Sequence, residues 1–360
     1  MLRSTVRLRG GSIAASPVVR RVVTGAVVLA VLILAAALVA ISTGPVPISF
    51  SHATGALLEW AGIAASAATD TEQAVIESLR IPRTLLALSA GAGLGVAGAI
   101  MQGLFRNPLA DPGIVGVSAG GALGAVIAIA TGVAATSLLL LPLFAFVGAM
   151  AALTLVFSIA TAGGGRFSMA ALLLAGVAVS AFLGAITSAV ILFTADLYAQ
   201  RQMIFWLAGG LDSATWQIVR VALPVLAAGT VFVLAFARDL NLLLVGEEEA
   251  KSLGVRVGLT RGLLLVAASL LTGTAVAFSG TIAFVGLVVP HMLRLFLGAD
   301  HRVLLPLSAL GGGLFLLVAD TIARNLLSPA EIRVGIITAF FGAPFFLFLL
   351  VKNKSRAGML

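Results

Sequence analysis

Apolar residues run along this chain in blocks of about twenty, separated by short polar stretches, rather than alternating or keeping to one helical face. A continuous block of that length crosses a hydrocarbon core of about 30 Å as a helix. The blocks predict spans at residues 22–41, 83–104, 114–132, 138–161, 168–194, 217–236, 260–279, 282–298, 303–323 and 334–351. Barrel strands would alternate in hydrophobicity over about ten residues, so these runs predict an all-α, polytopic membrane protein. The first block follows Arg20 and Arg21 and is longer than the usual signal-peptide core of about 7–15 residues, which predicts a first membrane helix. The organisation expected is a basic cytoplasmic arm at 1–21, one transmembrane domain at 22–351 and a cytoplasmic tail at 352–360. The longest polar stretches, 42–82 and 237–259, are too short to build cores of their own.

Composition supports this picture. Sixty per cent of the 360 residues are hydrophobic and 10% are charged; the mean hydropathy is +1.16. A soluble domain with so little polar surface could not cover itself. The net charge of +8 could suggest nucleic acid, but its distribution reports orientation instead. Ten spans put Arg80, Arg83, Arg201, Arg220, Arg324 and Arg333 outside and the other 16 of the 22 basic residues inside, with both termini cytoplasmic. There is no cysteine, so no disulfide or thiolate chemistry is available. Many of the 40 glycines lie within spans, as in GAGLGVAG at 91–98 and LGGG at 310–313, where small residues let helices approach closely in lipid. SAGGALG at 118–124 and SALGGGL at 308–314 are alike, a likeness of composition rather than a repeat.

The chain lacks a motor. None of its three lysines follows a glycine, so there is no P-loop signature. Ion-coupled carriers bury carboxylates or histidines at mid-membrane. Here Asp320 is the only carboxylate within a span, one turn before Arg324, as expected of a local ion pair. His52, His291 and His301 are too scattered for a metal cluster. Against this background the stretch GEEEAKSLG at 246–254 stands out. Glu247, Glu248 and Glu249 complement the positive end of a short helix, Glu247 is spaced to pair with Lys251, and Gly254 is placed for a left-handed cap. Two turns are too few to stand alone. Anionic lipid would repel the glutamates, so a cytoplasmic protein partner is expected.

The string G-E-E-x-A-x-x-L-G resembles the coupling helix of FecCD-type permeases, the membrane subunits of ABC importers for iron-siderophores, haem and cobalamin. PRTLLAL at 82–88, Gln102, RNPLADPGIVGVSAGGALGA at 106–125 and WLAGGLDSATW at 206–216 resemble further segments of that family. So do GTIAFVGLVVPHMLRLFLGADHRVLLPLSAL at 280–310 and the stretch from ADTIAR to GAPFFLFLL at 319–350. Gly210 stands where many members carry serine, and Glu249 where an apolar residue is common.

The resemblance implies a type II ABC importer permease in a bacterial inner membrane, carrying a metal chelate, first a ferric siderophore and next haem or cobalamin. It implies two ATPase subunits below, which use the ATP, a periplasmic or lipid-anchored binding protein above, and a second permease copy or paralogue beside it. No cofactor is expected on this chain itself, and no nucleic acid; membrane lipid surrounds it. By the resemblance, Glu247, Glu248, Ala250, Leu253 and Gly254 contact the ATPase, and Arg80, Arg83 and Arg324 meet acidic groups of the binding protein. Ser180, Gly184, Thr187 and Ser188 are candidates for the translocation path, although helix packing accounts for each as well. The rival reading is an ion-coupled secondary transporter, which would move its cargo without an ATPase.

Overall fold

The computed structural model describes residues 17–64, 66–162 and 168–357, and those residues form helices and no sheet. The expected arm lies outside the described residues as far as position 16, and the expected tail from position 358. The first half of the chain forms α1 (Pro17–Ser42), α2 (Phe50–Trp60), α3 (Asp70–Val75), α4 (Ile81–Leu104), α5 (Val117–Ala130), α6 (Leu140–Thr161) and α7 (Met169–Phe193). The second half forms α8 (Leu197–Leu207), α9 (Trp216–Leu234), α10 (Ala237–Val245), α11 (Glu247–Ser252), α12 (Val257–Ser279), α13 (Val285–Leu297), α14 (His301–Asn325) and α15 (Val334–Ala357).

A helix occupies each of the ten predicted spans. Among the described residues seven helices are long and apolar enough to cross a membrane: α1, the rod from Asp70 to Leu104, α6, α7, α9, α12 and α14. The blocks 114–132 and 282–298 contain shorter helices than expected. The 14 residues of α5 rise about 21 Å, and α13 has only 13 residues. What replaces the missing helix is irregular backbone held inside the protein. A 3-10 turn at Pro112–Val115 leads through left-handed Gly116 into α5. Between α12 and α13 the chain is non-helical, and its polar groups are met from the end of α8. The Gly210 N–H donates to the Ser279 carbonyl at 2.8 Å, and the Thr281 hydroxyl donates to the Leu207 carbonyl. Irregular backbone at membrane depth is tolerated only with such partners.

The core is organised around α4, whose apolar window is 83% buried. Its neighbours are α14, α12, α9 and α13. A close crossing places Gly91 of α4 on Gly312 of α14, where a Cβ on either would overlap the other's carbonyl oxygen. Gly120 of α5 and Gly148 of α6 make the same kind of crossing. The likeness of SAGGALG and SALGGGL therefore reflects two separate close approaches of backbones, as small residues permit in lipid.

The stretch 42–82, expected to lack a core, builds a small one against the ends of α1 and α4. Ile41, Ile48, Ala53, Ala56, Ile76 and Ile81 are its buried members. Thr69 and Glu72 form a reciprocal capping box that starts α3. Trp60 stacks on Trp216 at 6.1 Å between ring centroids, and the Trp216 indole donates to the Glu77 carbonyl at 2.8 Å.

Candidate functional site

The chain directions put α2, α3 and α8 at one end of the bundle and α10 and α11 at the other. At the α11 end, the predicted loop 237–259 is two short helices joined at Gly246. The cap expected at Gly254 is present, with φ +87°. The Gly254 N–H donates to the Lys251 carbonyl and the Val255 N–H to the Ala250 carbonyl, both at 2.9 Å, which is a Schellman motif.

Two pairings differ from those expected. Lys251 pairs with Glu248 at 2.6 Å, three residues back, rather than with Glu247. Glu247 instead reaches Arg261 on α12 at 2.6 Å, and that hydrogen bond holds its carboxyl below its usual pKa. The reason is reach: Arg261 lies beside the first turn of α11, so Glu247 has a less exposed cation than Lys251 available. Ala250, expected as a partner contact, is fully buried in this chain and serves to seat α11. Leu253 is 58% exposed, and the Glu248 side chain is 81% exposed. A Cβ on Gly254 would find no atom of this chain within 4 Å. Beside them opens a groove of about 270 Å³ lined by Phe236, Leu242, Leu253, Arg256, Leu259 and Leu263 among others.

The two short helices are fastened to three long ones. Besides Glu247 on α12, the Arg106 guanidinium after α4 donates to the Leu243 carbonyl. Asn241 joins α10 to the start of α14. Its Nδ2 donates to Asp300 Oδ1 at 2.6 Å, and its Oδ1 accepts from the His301 backbone N–H at 2.8 Å. Sequence reasoning missed Asn241 and Arg106; their partners lie 60 and 137 residues away, beyond any local spacing rule.

At the opposite end, the three arginines expected to face a partner are turned inward. Arg80 and Arg324 are each 5% exposed. Arg80 donates to the Ile41 and Val46 carbonyls, and Arg324 to the Ala40 carbonyl at 2.9 Å, so both satisfy carbonyls left open where α1 ends. Arg83 grips buried Asp320 through Nε and Nη2 at 2.9–3.1 Å and reaches Glu331 at 2.9 Å. Asp320, 1% exposed, also has Arg324 Nε at 3.3 Å. The local Asp320–Arg324 pair is thus one edge of a four-residue network binding α4, α14 and the loop before α15.

On α7 the path candidates separate. Thr187 is buried and its hydroxyl donates to its own Leu183 carbonyl at 2.8 Å. Ser180 is half-buried, whereas Gly184 and Ser188 lie on the exposed face. α7 packs on α5 and α6, leaving that face free.

An all-helical bundle of long apolar spans, with two short helices seated at one end and tied to three of the long ones, is that of a multi-pass membrane protein. Residues 30–352 match the FecCD transport family, and the chain belongs to that family. It is 49% identical to the cobalamin import system permease protein BtuC of Halobacterium salinarum over 288 residues, covering 80% of this chain and 76% of that one. Over 282 residues it is 45% identical to the hemin transport system permease protein HmuU of Yersinia pestis, covering 78% and 84%. The fold superposes with a TM-score of 0.80 on a structure assigned as a metal-chelate type ABC transporter in an inward-facing conformation, at 33% identity and covering 91% and 98% of the two chains.

Proposed function

We propose that this chain is the permease subunit of an ABC importer that carries a metal chelate across the bacterial inner membrane, with both termini and α11 in the cytoplasm. Family membership and relatives that transport cobalamin and hemin support the cargo class. Ferric siderophore, haem and cobalamin are its three candidates, and a binding protein at the opposite end selects among them. The observation that carries the mechanism is the standing of α11. Glu248, Leu253 and Gly254 face away from the chain, beside an open groove, while Glu247 and Ala250 hold the helix from behind.

An ATPase seated on that face moves α12 through Glu247–Arg261, α14 through Asn241 and α4 through Arg106. Two permease copies would then rock along the free faces of α7, where Gly184 and Ser188 line the cargo's way. Asp320 is held by two guanidiniums, which argues against a proton relay and so against an ion-coupled carrier. At the outer end, Arg83 is the arginine open to exchange. Its partner Glu331 is 33% exposed, and an acidic group of the binding protein can take that place.

The test is co-purification of the ATPase with the full-length permease. Glu248→Lys and Leu253→Asp each alter an exposed side chain and should reduce the bound ATPase several-fold while the permease elutes unchanged. Parental amounts of ATPase on both variants would overturn the reading.

A further inference from the structure

We propose that the groove between α1, α13 and α14 at the α11 end holds one anionic phospholipid, with its acyl chains against the groove and its phosphate against Arg20 and Arg21. The proposal rests on the chain's being a multi-pass membrane protein and not on what it transports.

The groove exists because α1 lies at the edge of the bundle, packed mainly on α14. None of its most apolar window is buried, and it closes on α14 at Gly25, where a Cβ would lie 2.6 Å from the Leu307 side chain. On one side of that approach is a cavity of about 490 Å³, lined by Thr24, Val28, Phe296, Leu297 and Leu307 among others and opening at Arg20 and Arg21. Leu29 and Leu293 are shared with a second cavity of about 690 Å³, which continues between α13, α14 and α15. The lining of both is almost wholly apolar. The occupant is therefore a long apolar body with one polar end.

Its length and charge follow from the same residues. From Arg20 to Leu29 the helix rises about 14 Å, close to one leaflet of a hydrocarbon core of about 30 Å. Thr24 lies one helical turn from Arg20 and Arg21, and all three line this cavity. Both arginines are exposed, and neither has an acidic partner among the described residues. Two unpaired guanidiniums at headgroup depth favour a phosphodiester whose headgroup adds no positive charge. A zwitterionic lipid brings its own cation to that mouth and gains less.

Native mass spectrometry of the full-length permease tests this, after purification from membranes containing equal parts of a zwitterionic and an anionic phospholipid. The parent should retain one phospholipid, with the anionic species enriched on the order of tenfold. The double variant Arg20→Gln/Arg21→Gln changes only exposed side chains and should retain lipid in the bulk ratio. Val28→Trp should fill the groove and abolish retention. Retention by the parent in the bulk ratio, no retention by the parent, or unchanged enrichment in the double variant would each overturn the proposal. Because transport is not read, these outcomes are independent of the cargo and of the ATPase.

Discussion

The two ends of the bundle carry charge in opposite arrangements. At the end opposite α11, Arg80, Arg83, Arg324 and Asp320 are folded inward, all but the partly buried Arg83 nearly out of solvent, and bonded to helix ends or to one another. At the other end Glu248, Glu249 and Lys251 project outward from a six-residue helix. Buried charge with every partner in place makes a rigid joint, since opening it exposes an uncompensated ion. Exposed charge contributes little to stability, so a charged helix kept in the open points to recognition. One end is a clamp and the other is a handle.

The largest effect expected from breaking this contrast is at the clamp. Asp320→Leu leaves Arg83 and Arg324 facing each other without their shared carboxylate. Removing one member of a buried ion pair costs about 3–5 kcal/mol, so detergent-solubilised protein should lose most of its thermal stability, read as the midpoint of size-exclusion recovery on heating. Asn241→Ala should act differently. It frees α10 from α14 at the cost of hydrogen bonds of about 1–3 kcal/mol each, one of them to the Asp300 carboxylate, so the midpoint should fall less than in Asp320→Leu. Uptake per ATP hydrolysed should nevertheless fall sharply in the assembled transporter.

The smallest effect is a pH dependence at the handle. Arg261 lowers the Glu247 pKa, so this pair contributes fully at neutral pH, above the carboxyl's unfolded pKa. The contribution is lost as pH falls through the lowered value. Glu247 is half exposed, so solvent screening keeps the contribution under about 1 kcal/mol. Measured against the intrinsic exchange rate at each pH, the protection of the amides at 247–254 should fall between pH 5 and pH 3 in the parent, and in Glu247→Gln it should be low throughout.

What could be read from the sequence follows from range. The ten helices were legible because each apolar block is long and uninterrupted, and the Gly254 cap because a capping motif spans only a few residues. The shortening of α5 and α13 was not. Residues 112–116 and 280–284 are apolar enough to extend a block, and only left-handed Gly116, Gly280 and Phe284 show where helix gives way. Helices α2, α3 and α8 were hidden because, at 11, 6 and 11 residues, they fall short of the length of a span. The clamp was hidden because Arg83 and Asp320 are 237 residues apart, and arginines placed near an outer boundary read equally well as exposed. Lys251 was matched to Glu247 on helical spacing alone, when a tertiary partner for Glu247 was waiting on α12.

The handle is tested most directly at Gly254, which has a left-handed backbone and leaves open space where a Cβ would stand. Gly254→Val strains the cap by about 1–2 kcal/mol, whereas asparagine visits that conformation readily and adds mainly bulk. The measurement is ATP-driven uptake in liposomes by transporters carrying Gly254→Asn or Gly254→Val. If the face around Gly254 is seated against the ATPase, both variants should lose coupled uptake while the permease still inserts and purifies intact. Parental uptake by the asparagine variant would mean that only the local cap matters, and would contradict the account.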